Sequence, residues 1–169
     1  MKKLIPALLI FAVIFSSCLK PSDKCSQAET VISASATEIA NVQAYLSANS
    51  IVATQHSSGF FYIITNPGSG TAIANLCTTV GVKYVGKLTS GTIFDQTPAG
   101  QTSSFQLGSV IFGWQKSLPL LKGGGVIRIF VPPTLGYGAN PVRDGSGAIV
   151  IPANSILIFD IELLVVTNL

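Results

Sequence analysis

The chain has 169 residues, enough for one folded domain with a substantial hydrophobic core and a short appendage. Only 10% of the residues are charged and 16 are glycine, which favours a sheet with many turns over a helical bundle. The formal net charge of +3 includes two lysines at the extreme N-terminus, and no basic patch with interleaved aromatic residues follows them. The composition therefore argues against a nucleic-acid-binding protein.

The N-terminus has the organisation of a secretory signal peptide. Lys2 and Lys3 precede an apolar run over residues 4–15, which is too short for a membrane-spanning helix and is followed by small residues. Cys18 comes next, an arrangement that resembles the cleavage box of bacterial lipoproteins. The resemblance implies that residues 1–17 are removed and that Cys18 is acylated, which would anchor the protein to a lipid membrane. An ordinary cleaved signal peptide with a chance cysteine is the alternative.

A lipoprotein of this kind would reside in the bacterial cell envelope, facing the periplasm or the cell surface. Residues 18–36 would form a polar tether between the lipid and the folded body. Cys25 and Cys77 are the remaining cysteines, and an even pair in an exported protein predicts one disulfide. It would close a loop of about 50 residues and stabilise the fold by roughly 4 kcal/mol in the chain-entropy description. Two free buried thiols are the alternative.

A helical pattern begins at Thr37 and ends near Asn49. The segment from Gly59 to Gly70 reads as a strand that ends in a turn, because its glycines are not followed by the Gly-Lys-Ser/Thr of a phosphate-binding loop. We assign residues 37–70 to an N-terminal extension of helix and strand, and residues 71–169 to the main domain. The apolar residues that share one face of the predicted helix are Ile39, Val42, Tyr45 and Leu46.

The main domain has mostly the two-residue period of strands. The pattern runs from Val80 to a turn at Ser90 and Gly91, and it returns in long apolar runs over residues 126–131 and 156–166. One short helix is predicted over residues 113–121, ending or bending near its proline. These elements predict an α+β fold, in which an antiparallel five- to six-stranded sheet wraps around one short helix, with a small N-terminal helical extension.

Several short motifs occur in a characteristic order along residues 79–166. In that order they resemble the FKBP-type peptidyl-prolyl cis–trans isomerase family, and the resemblance implies the FKBP-like fold. The motifs are VKYVGKL at 82–88, FD at 94–95, FQLG at 105–108, VIFGW at 110–114, LGYG at 135–138 and the stretch from Ile151-Pro152 to Leu163.

The resemblance also implies a small apolar pocket that takes a proline ring and uses neither a cofactor nor a metal. Trp114 would be its floor and Asp95 would lie at its rim. The Tyr137 hydroxyl and the Ile111 N–H would hold substrate carbonyls, and many family members have a further aromatic wall where this chain has Ser103. The residues expected to carry catalysis are Tyr84, Phe94, Asp95, Trp114, Tyr137 and Phe159, with Val110, Ile111 and Ile151 contacting the substrate.

The implied activity is rotation about Xaa-Pro bonds, which would assist the folding of exported proline-containing polypeptides. Rotation breaks no bond, so the reaction needs no nucleophile, strong base or metal. The alternatives are a non-catalytic chaperone or peptide-binding module on the same fold, and a structural adaptor displayed on a lipid anchor. A hydrolase is disfavoured, because there is no G-x-S-x-G motif and His56 is the single histidine. The sequence leaves the oligomeric state open.

Overall fold

The computed structural model describes residues 25–169. The predicted signal peptide, the predicted acylation of Cys18 and the first part of the predicted tether lie outside the described residues. Within residues 25–169, no helix combines the length and the apolar character that a membrane crossing needs.

The N-terminal helix predicted from the sequence is present. Helix α1 spans Ala36–Ala48 and begins with a capping box, in which the Ser35 hydroxyl accepts from the Glu38 N–H and the Glu38 carboxylate accepts from the Ser35 N–H. Val42 and Leu46 are its buried residues, as the helical spacing indicates.

The main sheet has seven strands, all paired antiparallel, and β9 lies between β6 and β3 near its centre. Strands β7 and β8 form a separate hairpin. The order in the sheet is β1-β2-β6-β9-β3-β4, and β5 pairs with β3 beyond the end of β4. The strands are β1 Thr54–Gln55, β2 Phe61–Asn66, β3 Thr79–Leu88, β4 Ile93–Gln96, β5 Ser103–Gln106, β6 Gly125–Val131, β7 Val142–Arg143, β8 Ile149–Ile151 and β9 Leu157–Thr167.

The predicted α+β class with an antiparallel sheet and a short helix is confirmed. The sheet exceeds the predicted five or six strands because the N-terminal segment contributes β1 and β2, and β2 pairs with β6 in the register Phe61↔Phe130. The segment assigned to an extension is thus continuous with the main sheet. The boundary placed between residues 70 and 71 stays a prediction.

The inner face of the sheet wraps around the second helix. Helix α2 spans Phe112–Ser117 and continues into a 3₁₀ turn, Leu118–Leu120, whose proline has no N–H to extend the helical ladder. The residues of this layer form the main core, in which the following side chains are almost fully buried: Trp114, Leu118, Leu121, Ile127, Ile129, Leu157, Phe159, Ile161 and Leu163.

The outer face of the same sheet is divided in two. Helix α1 covers one part, where Val42 and Leu46 pack in a second cluster with side chains from β2, β6 and β9. The other part is charged, and Asp160 accepts from Arg128 Nε at 2.5 Å and from Lys87 Nζ at 3.4 Å. The sheet-derived members of the second cluster are Phe61, Phe130 and Ile158.

Residues 25–34, which we call the N-terminal strap, are attached to the folded body at several points. A disulfide joins Cys25 to Cys77, Glu29 forms an ion pair with Lys116 of α2 at 3.1 Å, and the Ala34 N–H donates to a loop carbonyl. Gly108 leaves room for the strap, because a Cβ there would lie 1.5 Å from Gln27 Oε1. The strap therefore passes over the segment that leads into α2.

Candidate active site

A cavity of about 250 Å³ opens between the inner face of the sheet and the start of α2. Strands β3, β4, β5 and β9 each supply an aromatic wall, and the loop after β6 supplies a tyrosine. The lining residues are Tyr84, Phe94, Asp95, Phe105, Ser109, Val110, Ile111, Trp114, Tyr137 and Phe159.

Trp114 forms the centre of the aromatic lining and is only 4% exposed. The rings of Tyr84, Phe105 and Phe159 meet its indole edge-on, with centroid distances of 5.1, 5.9 and 5.4 Å and interplanar angles of 85°, 90° and 86°. Edge-to-face contacts are favoured because the positive edge of one ring faces the negative face of another. The indole is thereby held in one orientation, and its N–H has no hydrogen-bond partner among residues 25–169.

A glycine in β3 makes room for the remaining aromatic pair. Phe94 and Phe159 lie edge-to-face with their centroids 5.5 Å apart. A Cβ on Gly86 would come within 2.7 Å of the Phe94 ring and 2.9 Å of the Phe159 ring, closer than side chains pack. The absence of a side chain at Gly86 therefore allows both rings to lie against the strand.

Two tyrosine hydroxyls lie near Asp95 at the rim of the pocket, and they differ in their hydrogen bonding. The Tyr84 hydroxyl donates to Asp95 Oδ2 at 2.5 Å, and burial together with this bond raises the pKa of Tyr84. Burial and the nearby charge of Asp95 raise the pKa of Tyr137, so both phenols are protonated at neutral pH. Tyr137 is 42% exposed, and its hydroxyl has no partner in the described part of the chain. It can donate to a ligand.

A second donor lies at the start of α2. Ile111 is the N-cap of the helix, and its carbonyl accepts from the Trp114 N–H at 2.9 Å. Its own N–H makes no backbone hydrogen bond within residues 25–169. Gln115 holds the preceding loop, because its amide donates to the carbonyls of Val110 at 2.7 Å and Gly108 at 3.3 Å. Sequence reasoning missed Gln115, although its place one turn into the helix suits such a contact.

Ile151, which was predicted to contact the substrate, is not among the residues that line this cavity. It pairs with Val142 in the β7–β8 hairpin and is 3% exposed in the main core, the cluster that also contains Trp114 and Phe159 of the lining. Its contact with a substrate stays a prediction. The other predicted residues all line the cavity, while their roles in catalysis and binding stay predictions: Tyr84, Phe94, Asp95, Val110, Ile111, Trp114, Tyr137 and Phe159.

Two residues that line the cavity were not assigned to it from the sequence, Phe105 and Ser109. The aromatic wall expected at Ser103 in many family members is provided by Phe105, which lies on the same face of β5 two residues later. Ser103 instead shares a hydrogen bond of 3.0 Å with the Thr97 hydroxyl. The signal for Phe105 was present in the FQLG motif, where its alternation with Ser103 could have indicated a shared face.

His56 is not among the residues that line the cavity. Its Nδ1 lies 2.8 Å from the Ser58 hydroxyl, and its ring stacks on Phe60 with a centroid distance of 4.5 Å. Burial and the positive charge of Lys116 lower the pKa of His56. Its contacts are those of a packed side chain.

Several known proteins with similar sequences are FKBP-type peptidyl-prolyl cis-trans isomerases. A family profile described as FKBP-type peptidyl-prolyl cis-trans isomerase matches residues 70–164. The FKBP-type peptidyl-prolyl cis-trans isomerase FkpA of Buchnera aphidicola subsp. Schizaphis graminum is 45% identical over 114 residues, which cover 67% of this chain and 43% of that protein. A probable FKBP-type isomerase of Haemophilus influenzae is 46% identical over 108 residues, covering 63% of this chain and 42% of that protein. The chain thus spans less than half the length of these relatives.

Solved structures agree with the sequence relatives. The crystal structure of FkpA from Escherichia coli superposes with a TM-score of 0.66 at 35% identity, covering 79% of this chain and 61% of that one. A peptidyl-prolyl cis-trans isomerase from Pseudomonas syringae pv. tomato gives a TM-score of 0.64 at 27% identity, covering 82% of this chain and 99% of that one. The order of motifs, the sheet wrapped around a short helix and these similarities establish that the chain belongs to the FKBP-type peptidyl-prolyl cis-trans isomerase family.

Proposed function

We propose that this protein catalyses cis–trans rotation about Xaa-Pro bonds in polypeptide clients. Rotation about a peptide bond faces a barrier of about 18–20 kcal/mol, and uncatalysed Xaa-Pro exchange takes tens to hundreds of seconds. The observation that carries the proposal is the aromatic cavity built on Trp114, with the Tyr137 hydroxyl and the Ile111 N–H available as donors.

Such a cavity can accelerate rotation by binding the twisted bond more tightly than the planar bond. The twisted peptide loses amide resonance and has a less polar C–N unit, which an apolar, water-poor site favours. Tyr137 and Ile111 would donate to substrate carbonyls and fix the chain, while the Tyr84–Asp95 bond holds one wall in place. Each ~1.4 kcal/mol of preference for the twisted state gives about a tenfold gain in rate.

The test is NMR exchange spectroscopy on an Xaa-Pro peptide with the purified chain. Tyr137→Phe should lower kcat/KM by about tenfold, because it removes one uncharged hydrogen-bond donor, the phenol hydroxyl, from the site. Trp114→Ala should abolish turnover. Tyr45→Phe is the matched control, since Tyr45 lies on α1 and packs on Phe130 away from the cavity. A folded wild-type chain that leaves exchange at the buffer rate would overturn the proposal.

We also infer that the protein acts in the bacterial cell envelope, where an acylated Cys18 anchors it to a membrane and it faces the periplasm or the cell surface. Two features support this: the lysine-led apolar run before Cys18, and the Cys25–Cys77 disulfide, a bond typical of oxidising compartments. Growth with an alkyne fatty acid should label the protein, and Cys18→Ala should abolish both the label and recovery with membranes. An unlabelled wild-type protein would contradict the anchor without affecting the isomerase proposal.

A further inference from the structure

Helix α1 precedes the part of the chain that matches the family profile, residues 70–164, yet its first turn contacts the loop that carries Tyr137. The contact is made by Glu38. Its Oε1 accepts from the Thr134 N–H and from the Thr134 hydroxyl, both at 2.8 Å, and the hydroxyl also lies 2.9 Å from Oε2. The two residues are 96 positions apart in the sequence.

The same carboxylate closes the capping box of α1. Oε2 accepts from the Ser35 N–H at 2.9 Å and from the Ser35 hydroxyl at 3.1 Å. Burial acts to raise the pKa of Glu38, but the hydrogen bonds from Ser35 and Thr134 outweigh it and hold the pKa below its ordinary value. Glu38 is therefore ionised at neutral pH, and hydrogen bonds to an ionised acceptor are stronger than neutral ones.

Thr134 lies in a 3₁₀ turn, Pro133–Leu135, that fixes the backbone on both sides of Tyr137. The N–H groups of Gly136 and Gly138 both donate to the Pro133 carbonyl at 2.9 Å. Pro133 and Leu135 are buried on either side of Thr134, which is itself exposed. A shift of this turn would therefore move Tyr137 with it.

We propose that Glu38 is a positioning residue, which holds the Tyr137 loop through Thr134 so that the Tyr137 hydroxyl meets the substrate. Glu38 then connects the start of helix α1 to the substrate-binding site. This inference rests on the proposed isomerase function, and it assigns a role in that function to a residue outside the family-matching region.

The decisive variant is Thr134→Val. It removes the hydroxyl donor but keeps the side-chain shape, the backbone N–H and the capping box. We expect KM for an Xaa-Pro peptide, from NMR line shapes, to rise about fivefold with kcat retained, the size that loss of one net hydrogen bond produces in an equilibrium. Thr134→Ser should restore the wild-type KM. The matched control is Thr37→Val, at an exposed position in the first turn of α1, and it should leave KM at the wild-type value.

A double-mutant cycle separates positioning from general stability. If Thr134 acts through Tyr137, then Thr134→Val should add nothing to the KM of Tyr137→Phe. The proposal would be overturned if the KM increases of the two single variants multiplied in the double variant, or if Thr134→Val alone left KM unchanged.

A measurement that needs no catalysis completes the test. Amide hydrogen exchange over residues 134–138 should become faster in Thr134→Val than in the wild type and in Thr37→Val. If the wild type has no isomerase activity, the proposed function fails, while unchanged exchange in Thr134→Val would refute the Glu38 contact independently.

Discussion

The two faces of the sheet are built from the same strands, but they differ in what they bind. Along β9, Phe159 turns inward to the aromatic cavity and Ile161 to the core, whereas Ile158 lies under helix α1 and Asp160 pairs with Arg128. The inner face thus combines the core with the candidate site, and the outer face carries packing and charge. Apart from the Glu38 contact at the start of α1, stability and activity should therefore be separable by choosing the face on which a substituted residue lies.

The largest effect on stability should come from the strap that passes over the inner layer. Replacing Cys25 and Cys77 with serine opens a covalent link across 52 residues, and unfolding free energy should fall by about 4 kcal/mol in the chain-entropy description. Urea denaturation measures the loss. At temperatures where the variant is folded, kcat/KM should stay at the wild-type value.

The control for this prediction is thiol titration of the unreduced wild type. Neither Cys25 nor Cys77 should react. Reactive thiols at both positions would show that the link is not formed and would remove the basis of the expected loss.

Leu46→Ala tests the outer face alone. Leu46 is buried between α1 and the sheet, so its truncation should cost about 3 kcal/mol of unfolding free energy through lost packing and a cavity. Turnover should be retained, because Leu46 lies two turns from Glu38. Gln43→Ala, on the exposed side of the helix, should leave the melting temperature nearly unchanged. If kcat/KM of Leu46→Ala fell together with its unfolding free energy, the two faces of the sheet would not be independent in stability and activity.

Tyr84→Phe tests the inner face, where activity should fall more than stability. It removes the bond to Asp95 and should cost only about 1 kcal/mol of stability, while kcat/KM falls about fivefold because one wall of the cavity is released. Tyr62→Phe is the control, since Tyr62 lies in β2 and does not line the cavity. Equal activity in the two variants would show that the Tyr84–Asp95 bond has no part in turnover.

The smallest effect is expected on the charged part of the outer face. Asp160→Asn weakens ion pairs whose side chains are 34% to 47% exposed, and such pairs contribute about 0–1 kcal/mol because water screens them. The difference from wild type should shrink further in 1 M salt, where the Debye length is about 3 Å. Isomerase activity should not change at either salt concentration.

Much of the inner face could be predicted from the sequence because its determinants are local. The two-residue period turns Phe159 inward with its neighbours in β9, and the ordered motifs indicate Tyr84 and Trp114 together. Helix α1 is recognisable by its apolar spacing, and the Ser-x-x-Glu spacing of Ser35 and Glu38 is a further local signal of its start.

What the sequence left open depends on contacts between distant segments. Ile151 shares a family motif with the site, and its burial in the core depends on how the β7–β8 hairpin packs, while its contact with a substrate stays a prediction. The alternation of Ser103 and Phe105 could have indicated their shared face, but the pairing of β5 with β3, which brings that face to the cavity, is not specified by periodicity.

Sequence patterns alone indicated the family, the antiparallel sheet with its short helix, and most of the residues that line the cavity. The position of α1 on the outer face and the contact of Glu38 with Thr134 became visible only in the folded structure. Periodicity reports which side of an element is buried, whereas the identity of the burying partner depends on how elements far apart in the chain pack together.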